Sequence, residues 1–299
     1  MYLVHYRSDK GNFGDDLNEW LWPQIFTKNI FTKNDDISFW GIGSILMQED
    51  YAEGYFNRAL QNQHQLVLGT GVRSLKEELV INENWDVVFL RGPLSSYKLL
   101  GNFSNYITDS AYFITLLDQY KKYIVLPKKY KVSIIPYYGS TDNLDWEQLA
   151  ELHNLNIIYP TGNNVEQFIK EVAQSEFVLS EAMHGCMMAD IMRVPWKRIK
   201  FNAHKLEGEV VSEFKWHDWY ASINLNNITP IVLEEKTVKI KNKIFKRSYE
   251  MKNMKNISKQ LSSYNSSPYY LSSDDRFNEI VSELKDVKQK VIEKYFTDL

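Results

Sequence analysis

The chain has little cysteine, little proline and glycine, and little net charge. Its one cysteine among 299 residues, Cys186, excludes an internal disulfide framework and a multi-cysteine metal site, and it favours a reducing compartment. Its 13 glycines and 8 prolines are few for a loop-dominated β protein. The 35 Lys and Arg residues against 38 Asp and Glu residues give a formal charge of −3, which argues against nucleic-acid binding driven by overall charge.

Long apolar runs are also missing. No stretch reaches the ~20 apolar residues that a membrane-spanning helix needs. The apolar start at 2–6 gives way to Arg7, too early for a signal-peptide core, so we expect a cytoplasmic protein with at most peripheral membrane contact. Aromatic residues, in contrast, make up 14% of the chain, enough for a large aromatic core or a ring-lined cleft.

Short β-branched or aromatic runs alternate along the chain with segments whose apolar residues repeat at three and four. The runs have the length of buried strands, and the repeat is that of one buried helix face. Strands that alternate with helices indicate an α/β class with parallel sheets. The predicted strands lie at 2–6, 37–40, 65–68, 87–90, 132–136, 157–159 and 177–179.

A polar, poorly periodic stretch at 117–130 divides this pattern into two α/β units. We therefore predict an N-terminal Rossmann-like domain at 1–120, a second Rossmann-like domain at 121–235, and a C-terminal region at 236–299. Two such units that face each other leave a cleft where strand ends and helix starts converge, and we expect the site there. The final helix, starting near 273–275, is expected to pack back on the first domain.

The segment 236–259 carries nine basic residues and one acid, Glu250. Four apolar residues, Ile240, Ile244, Met251 and Met254, give it a stripe. A basic amphipathic segment can dock on anionic lipid head groups or an acidic carrier. The alternative is a solvated helix packed on its own domain.

A loop with glycines follows the first predicted strand and leads into a helix. Gly14 lets the backbone approach a ligand closely, and Asp15 or Asp16 can cap the helix. Two carboxylates at a helix start disfavour an anion there. Asn12, Gly14, Asp15 and Asp16 are therefore candidates for binding sugar hydroxyls or a proton, with capping alone as the alternative.

Two arginines follow predicted strands. Arg73 comes after the segment 69–72, and Arg91 precedes Gly92 and Pro93. The carboxyl ends of parallel strands share one edge of a sheet, where ligands of such folds bind. Because the guanidinium fork matches a carboxylate or phosphate, both arginines are candidate anion ligands. A structural salt bridge is the competing interpretation for each.

The last predicted strand runs through Ser180 into Glu181, and a helix starts around His184. A helix N-terminus carries free N–H groups and partial positive charge, which suit an anion. His184 can donate or accept a proton near neutral pH, and Gly185 lets the helix press on the sheet. A structural histidine is the alternative.

Aromatic and polar residues mix at 213–220, which contains Lys215, His217 and Asp218 beside two tryptophans and a tyrosine. Such a mixture suits sugar rings, and it equally suits domain packing. The spacing of His184, His217 and Cys186 fits no metal site.

Several motifs stand in a distinctive order over residues 1–225. They are Asn12-Phe13-Gly14-Asp15-Asp16-Leu17, Arg91-Gly92-Pro93, Ile135-Pro136-Tyr137-Tyr138, Ser180-Glu181-Ala182-Met183-His184-Gly185 and Phe214-Lys215-Trp216-His217-Asp218-Trp219. Together they resemble the polysaccharide pyruvyl transferase family, and most of all its succinoglycan-type, ketal-forming branch. The resemblance implies a two-domain, GT-B-like fold with C-terminal helices. It also implies transfer of pyruvate from phosphoenolpyruvate onto a sugar as a cyclic ketal.

The chain departs from the family pattern in three places. Many members have Arg-Leu-His-Gly where residues 182–185 read Ala-Met-His-Gly, so the arginine expected to hold the donor is absent. The family's Pro-His and Gly-Asp-Pro appear as Pro136-Tyr137 and Thr108-Asp109-Ser110. The cations left to hold phosphoenolpyruvate are Arg73, Arg91, Arg193 and Lys215.

The reaction that the resemblance implies needs an acid for the enol methylene, a base for the sugar hydroxyls and cations for two anionic groups. His184 offers the acid, and Asp15, Asp16 or Glu181 offers the base. Phosphoenolpyruvate is the donor substrate, no cofactor or metal is required, and the acceptor is a saccharide that lipid can carry.

Two other functions fit the same sequence features. A glycosyltransferase of this fold would place a nucleotide diphosphate at the helix start, and release of nucleoside diphosphate in place of phosphate would reveal it. A glycan-binding protein that has lost the donor arginine would bind saccharide without phosphoenolpyruvate or nucleotide.

Overall fold

The protein is described by a computed structural model that covers residues 1–26, 30–31, 36–47, 57–162, 164–235 and 243–296. Two parallel sheets, of four and five strands, form its centre. Both carry helices, so the predicted α/β class with two parallel sheets is confirmed.

The first sheet contains four strands in the order β1-β2-β3-β4, and every neighbouring pair is parallel. The strands are β1 (Tyr2–Val4), β2 (Ile37–Trp40), β3 (His64–Leu68) and β4 (Trp85–Phe89). The helices of this half are α1 (Phe13–Ile25), α2 (Asn57–Gln61), α3 (Pro93–Leu100) and α4 (Tyr120–Tyr123), with a 3₁₀ helix at Ser110–Leu116.

The second sheet has the order β6-β5-β7-β8-β9, again with parallel neighbours throughout. Its strands are β5 (Tyr130–Ile135), β6 (Asn156–Ile157), β7 (Ser175–Ser180), β8 (Trp196–Lys200) and β9 (Ile231–Val232). Its helices are α5 (Trp146–His153), α6 (Val165–Ala173), α7 (Met183–Ile191), α8 (Ala203–Glu207) and α9 (Glu209–Ser222), with a short 3₁₀ turn at Tyr138–Ser140.

Seven strands coincide with the predicted runs, whereas β8 and β9 were not predicted. The β8 sequence contains Lys197 and Arg198, which interrupt the apolar run that would predict a buried strand. Both side chains are nevertheless buried. Lys197 Nζ contacts the carbonyl oxygens of Tyr264 and Ser267, and Arg198 donates hydrogen bonds of 2.9 and 2.7 Å to the Glu213 carboxylate. These partners lie far along the chain, so a local pattern could not reveal them.

Two longer helices follow the second sheet, α10 (Lys243–Leu261) and α11 (Asp274–Tyr295), with a 3₁₀ turn at Ser262–Asn265 between them. Of the predicted apolar stripe, Met254 is buried on the second sheet and Met251 is 57% exposed. Ile240 and the side chain of Ile244 lie outside the described residues, as do the basic residues at 236–242.

The α11 helix contacts both halves of the molecule. Arg276 donates hydrogen bonds of 2.9 Å to the carbonyl oxygens of Ser222 and Ile107, and Lys294 and Tyr295 bind the carboxylate of Asp86. This helix therefore fastens the second half to the first. None of the helices in the described part of the chain is long and apolar enough to cross a membrane.

Candidate active site

A cleft of about 820 Å³ lies at the carboxyl ends of the strands, between the two sheets. The first half supplies the start of α1, Gly43 and Arg73, and the second half supplies Tyr137, the start of α7 and Lys215. Residues that are distant in the sequence thus face one volume, as parallel sheets with converging strand ends require.

The start of α1 is fixed against the second half. The amide of Phe13 donates a 2.8 Å hydrogen bond to the Pro160 carbonyl oxygen, and the Phe13 ring stacks on Phe168 with centroids 3.8 Å apart. These contacts bring the next residue, Gly14, against His184 at the start of α7. A β-carbon on Gly14 would lie 2.1 Å from His184 Nδ1, so only glycine permits this approach.

Asp15 lies beside the imidazole and lines the cleft. Burial raises the pKa of Asp15 to about 6, although the hydrogen bond from the Asn12 amide and the nearby His184 act in the opposite direction. Its carboxyl group can therefore exchange a proton close to neutral pH. Asp16 instead accepts the backbone N–H of Asn12 at 3.0 Å and is not among the cleft-lining residues.

Glu181 is 2% exposed, and hydrogen bonds engage both of its oxygens. The carboxylate accepts from the Tyr137 and Asn202 backbone amides at 3.0 and 2.7 Å, and from the Ala203 amide and the Ser140 hydroxyl at 2.7 and 3.1 Å. Glu181 thus ties together the loops that follow β5 and β8. This geometry favours a structural role over the expected role as base.

A partly buried ionic cluster forms the opposite wall of the cleft. Lys215 Nζ lies 2.7 Å from Glu207 Oε1, and the Tyr137 hydroxyl donates to the same oxygen at 3.1 Å. Burial acts to raise the pKa of Glu207, but Lys215 and the hydrogen bonds outweigh it and the net pKa is lowered. The cluster keeps a cation and a hydroxyl at the cleft surface.

Arg73 is half-buried and also faces the cleft. Within the described ranges, its guanidinium makes no hydrogen bond and no ion pair. A cation of this kind is available to an anionic ligand, since the planar fork can bind two oxygens of a carboxylate or phosphate.

Arg91 does not face the cleft, so the expectation that it binds the donor is wrong. The side chain is fully buried, with Nε 3.0 Å from Asp218 Oδ2, and it also donates to Ser44 Oγ and the Val72 carbonyl oxygen. Because Asp218 additionally accepts the backbone N–H of Leu94 at 2.9 Å, it caps α3 as well as neutralising Arg91. The alternative of a structural salt bridge holds here.

Two other expected ligands also lie elsewhere. His217 is exposed, and its Nδ1 contacts the Glu213 carbonyl oxygen at 2.8 Å, outside the cleft. Arg193 binds Ser272 and Asp274 in the C-terminal region.

Gly185 packs so closely that a β-carbon would lie 2.3 Å from Ser180 Oγ, which sets α7 against β7.

The sequence motifs left two residues of this site unassigned, Asp109 and Glu207. Asp109 Oδ1 lies 3.8 Å from His184 Nε2. The available signal was its position in Thr108-Asp109-Ser110, where the family has Gly-Asp-Pro. Glu207 ends a five-residue helix, and its partners become evident only in three dimensions.

Residues 66–196, from β3 to the start of β8, match the family described as "Polysaccharide pyruvyl transferase". The succinoglycan biosynthesis protein ExoV of Rhizobium meliloti (strain 1021) is 30% identical over 230 residues. The chain belongs to the polysaccharide pyruvyl transferase family. In this family member the aligned region covers 75% of the chain and 66% of ExoV, just under two thirds of that relative.

Solved structures are similar to this polysaccharide pyruvyl transferase family member at low sequence identity. A functionally uncharacterised protein of Klebsiella pneumoniae subsp. pneumoniae NTUH-K2044 is 19% identical at a TM-score of 0.45, covering 76% of this chain and 92% of that one. The wall teichoic acid polymerase TagF is 10% identical at a TM-score of 0.37, covering 98% of this chain and 88% of that one. Neither similarity adds to the description of the fold that the strand pairing of the two sheets gives.

Proposed function

We propose that the protein transfers pyruvate from phosphoenolpyruvate onto a saccharide as a cyclic ketal. The observation that carries this proposal is that His184 and Asp15 lie side by side in the lining of one cleft, in a member of this family. The imidazole of His184 supplies the acid that ketal formation requires. The carboxyl group of Asp15, whose pKa is about 6, supplies the base.

In the proposed reaction, His184 delivers a proton to the methylene carbon of phosphoenolpyruvate, which becomes a methyl group. A sugar hydroxyl attacks the cation-like carbon that results and gives its proton to Asp15. The bond from this carbon to the phosphate oxygen then breaks, and a second hydroxyl attacks the same carbon. One of the two hydroxyl protons restores His184, and the other leaves with inorganic phosphate.

Arg73 and the backbone N–H groups at the start of α7 are the proposed binding site for the donor anions. Lys215 contributes positive charge from the opposite wall, although it is shared with Glu207. Tyr137 and Tyr138, whose rings lie 4.6 Å apart at the cleft, suit the face of a sugar ring. We propose a cytoplasmic enzyme whose saccharide acceptor is a bacterial surface polysaccharide or its lipid-linked precursor.

Incubation of the protein with phosphoenolpyruvate and candidate saccharides tests this proposal, with ³¹P NMR for released phosphate and mass spectrometry for the ketal. We expect phosphate release only when an acceptor is present. The His184→Gln variant should bind phosphoenolpyruvate and lose ~10² to 10⁴-fold in rate, because glutamine cannot deliver the proton. Release of nucleoside diphosphate from a nucleotide sugar would instead favour a glycosyltransferase.

The donor site has its own test in Arg73→Gln. Loss of a charge-assisted contact of about 1.5–3 kcal/mol should raise the KM for phosphoenolpyruvate by roughly 10 to 150-fold and leave the acceptor KM unchanged. Lys76→Gln, which removes an exposed positive charge nearby in the sequence, is the matched control. An unchanged donor KM in Arg73→Gln would reject this assignment.

A further inference from the structure

Behind His184, on the side away from the cleft, lies a carboxylate that the proposed reaction leaves unused. Asp109 is fully buried and is not among the residues that line the cleft. Its Oδ1 lies 3.8 Å from His184 Nε2, a separation at which opposite charges attract strongly in a buried setting.

Unsatisfied atoms mark this contact. Among the described residues, His184 Nε2 and Asp109 Oδ2 are both buried without a hydrogen-bond partner. An unpaired buried polar atom costs about 1–3 kcal/mol, so such atoms are usually avoided. The unsatisfied Nε2 lies 3.8 Å from the other oxygen of this carboxylate, Asp109 Oδ1, which indicates a contact that strengthens when the imidazole carries a positive charge.

The two nitrogens of His184 have different surroundings. Nε2 faces Asp109, whereas Nδ1 lies beside Gly14 at the cleft. A carboxylate facing one ring nitrogen keeps a proton on that nitrogen and so determines the tautomer of the neutral ring. Asp15 is also near the ring, but it lines the cleft and is held by Asn12, which leaves it open to substrate.

We infer that Asp109 is a positioning residue for His184. Its carboxylate holds the Nε2–H form of the neutral imidazole and stabilises the imidazolium, so that the proton delivered to the substrate comes from Nδ1. Asp109 touches no substrate itself. The inference deepens the proposed function and rests on it for the identity of the reaction, whereas the tautomer can be observed without any substrate.

Asp109 also has a structural task, because its Oδ1 accepts the Ala111 amide at 2.9 Å and caps the 3₁₀ helix Ser110–Leu116. Asp109→Asn separates the two tasks. Asparagine keeps the oxygen that caps the helix, removes the charge, and puts an NH₂ donor in place of Oδ2. Because the oxygen near Nε2 stays in place, the variant tests the negative charge itself, and loss of that charge weakens the preference for a proton on Nε2.

The test is long-range ¹H–¹⁵N NMR of the histidine rings at about pH 8, where a typical imidazole is neutral. The His184 signals are assigned from the spectrum of His184→Gln. We expect the Nε2–H tautomer in the wild type and a shift toward Nδ1–H in Asp109→Asn. A wild-type Nδ1–H tautomer, or an identical tautomer in both proteins, would overturn the inference.

Kinetics provide the second measurement. Asp109→Asn should lose about 10² to 10⁴-fold in kcat while its KM for phosphoenolpyruvate stays within roughly threefold, since donor binding is unaffected. The matched control is Asp145→Asn, which makes the same change at the cap of α5, where Asp145 accepts the Gln148 amide at 2.9 Å. This control should keep the wild-type rate and the wild-type His184 spectrum.

The two measurements separate the possible failures. A wild-type kcat in Asp109→Asn despite a changed tautomer would refute a role for Asp109 in the reaction. Absence of pyruvate transfer by the wild type, combined with the expected tautomer change, would refute the proposed function and support the contact between Asp109 and His184.

Discussion

Gly14 and Asp15 are adjacent residues at the start of α1, and the packing of α1 against the start of α7 determines the surroundings of both. Gly14 gives His184 its space, and Asp15 lies in an environment that disfavours its charge. Each property leads to a separate experiment.

Replacement of Gly14 by alanine should displace the imidazole, because the new β-carbon would lie 2.1 Å from Nδ1. We expect a loss of about 10²-fold or more in transfer rate, the penalty that a misplacement of roughly 1 Å can cause. The measurement is kcat for Gly14→Ala in the wild-type background and in His184→Gln. If the effect acts through His184, it disappears in the second background; equal losses in both would show another cause.

Asp15→Asn should change the pH dependence of stability. The folded-state pKa of about 6 lies above the ordinary value near 3.9, so the wild type gains stability from Asp15 below about pH 4 and loses it as the pH rises through 6. Relative to the wild type, we expect Asp15→Asn to be more stable at pH 8 than at pH 4 by about 1–2 kcal/mol, allowing for solvent screening.

Urea denaturation at the two pH values measures this difference, with Asp118→Asn as the exposed-carboxylate control. A difference between Asp15→Asn and wild type that does not vary with pH would contradict the expectation. At pH 8 the ionised carboxyl group that we propose as the base is thus a source of instability in the native protein.

At the scale of elements, the best-predicted features were those whose signals are local. Apolar runs predict the buried strands, and the strand-to-helix pattern predicts the position of His184 at a helix start. Arg91 was misassigned because a strand-end position does not disclose where a side chain points, and its partner Asp218 lies 127 residues away. Asp109 was missed for a similar reason, since only the folded chain brings it to His184.

The contact of α9 with α3 centres on the buried pair Arg91 and Asp218. Asp218→Asn should destabilise the protein by about 3–5 kcal/mol, because it leaves a buried guanidinium without its counter-charge. Replacing both residues, as Arg91→Met with Asp218→Asn, should cost clearly less than the sum of the two single changes. Urea denaturation of the four proteins measures the coupling, and strictly additive costs would argue against it.

At the scale of the whole molecule, charge is distributed unevenly. The overall formal charge is −3, yet the segment 236–259 has nine basic residues and one acid. Of these, Lys252, Lys255 and Lys259 are exposed on the described part of α10. This asymmetry is typical of proteins that meet an anionic surface.

We therefore predict that the protein co-sediments with vesicles containing anionic lipid at low salt, and that binding weakens as salt screens the charges. Changing Lys252, Lys255 and Lys259 to glutamine should weaken binding by about 1 kcal/mol per residue. Vesicles of neutral lipid serve as the control. Absent binding at low salt, or binding that does not respond to salt, would favour the alternative of a solvated helix.

The α11 helix has a consequence for the time course of folding. Arg276 contacts a carbonyl oxygen 169 residues earlier in the chain, and contacts of such separation are slow to form because closing a long loop costs entropy. Each sheet can collapse from its own segment, but Gly14 and His184 meet only when the halves dock. During refolding, secondary structure should thus return in an early phase, and enzymatic competence should lag until this last, rate-limiting assembly step.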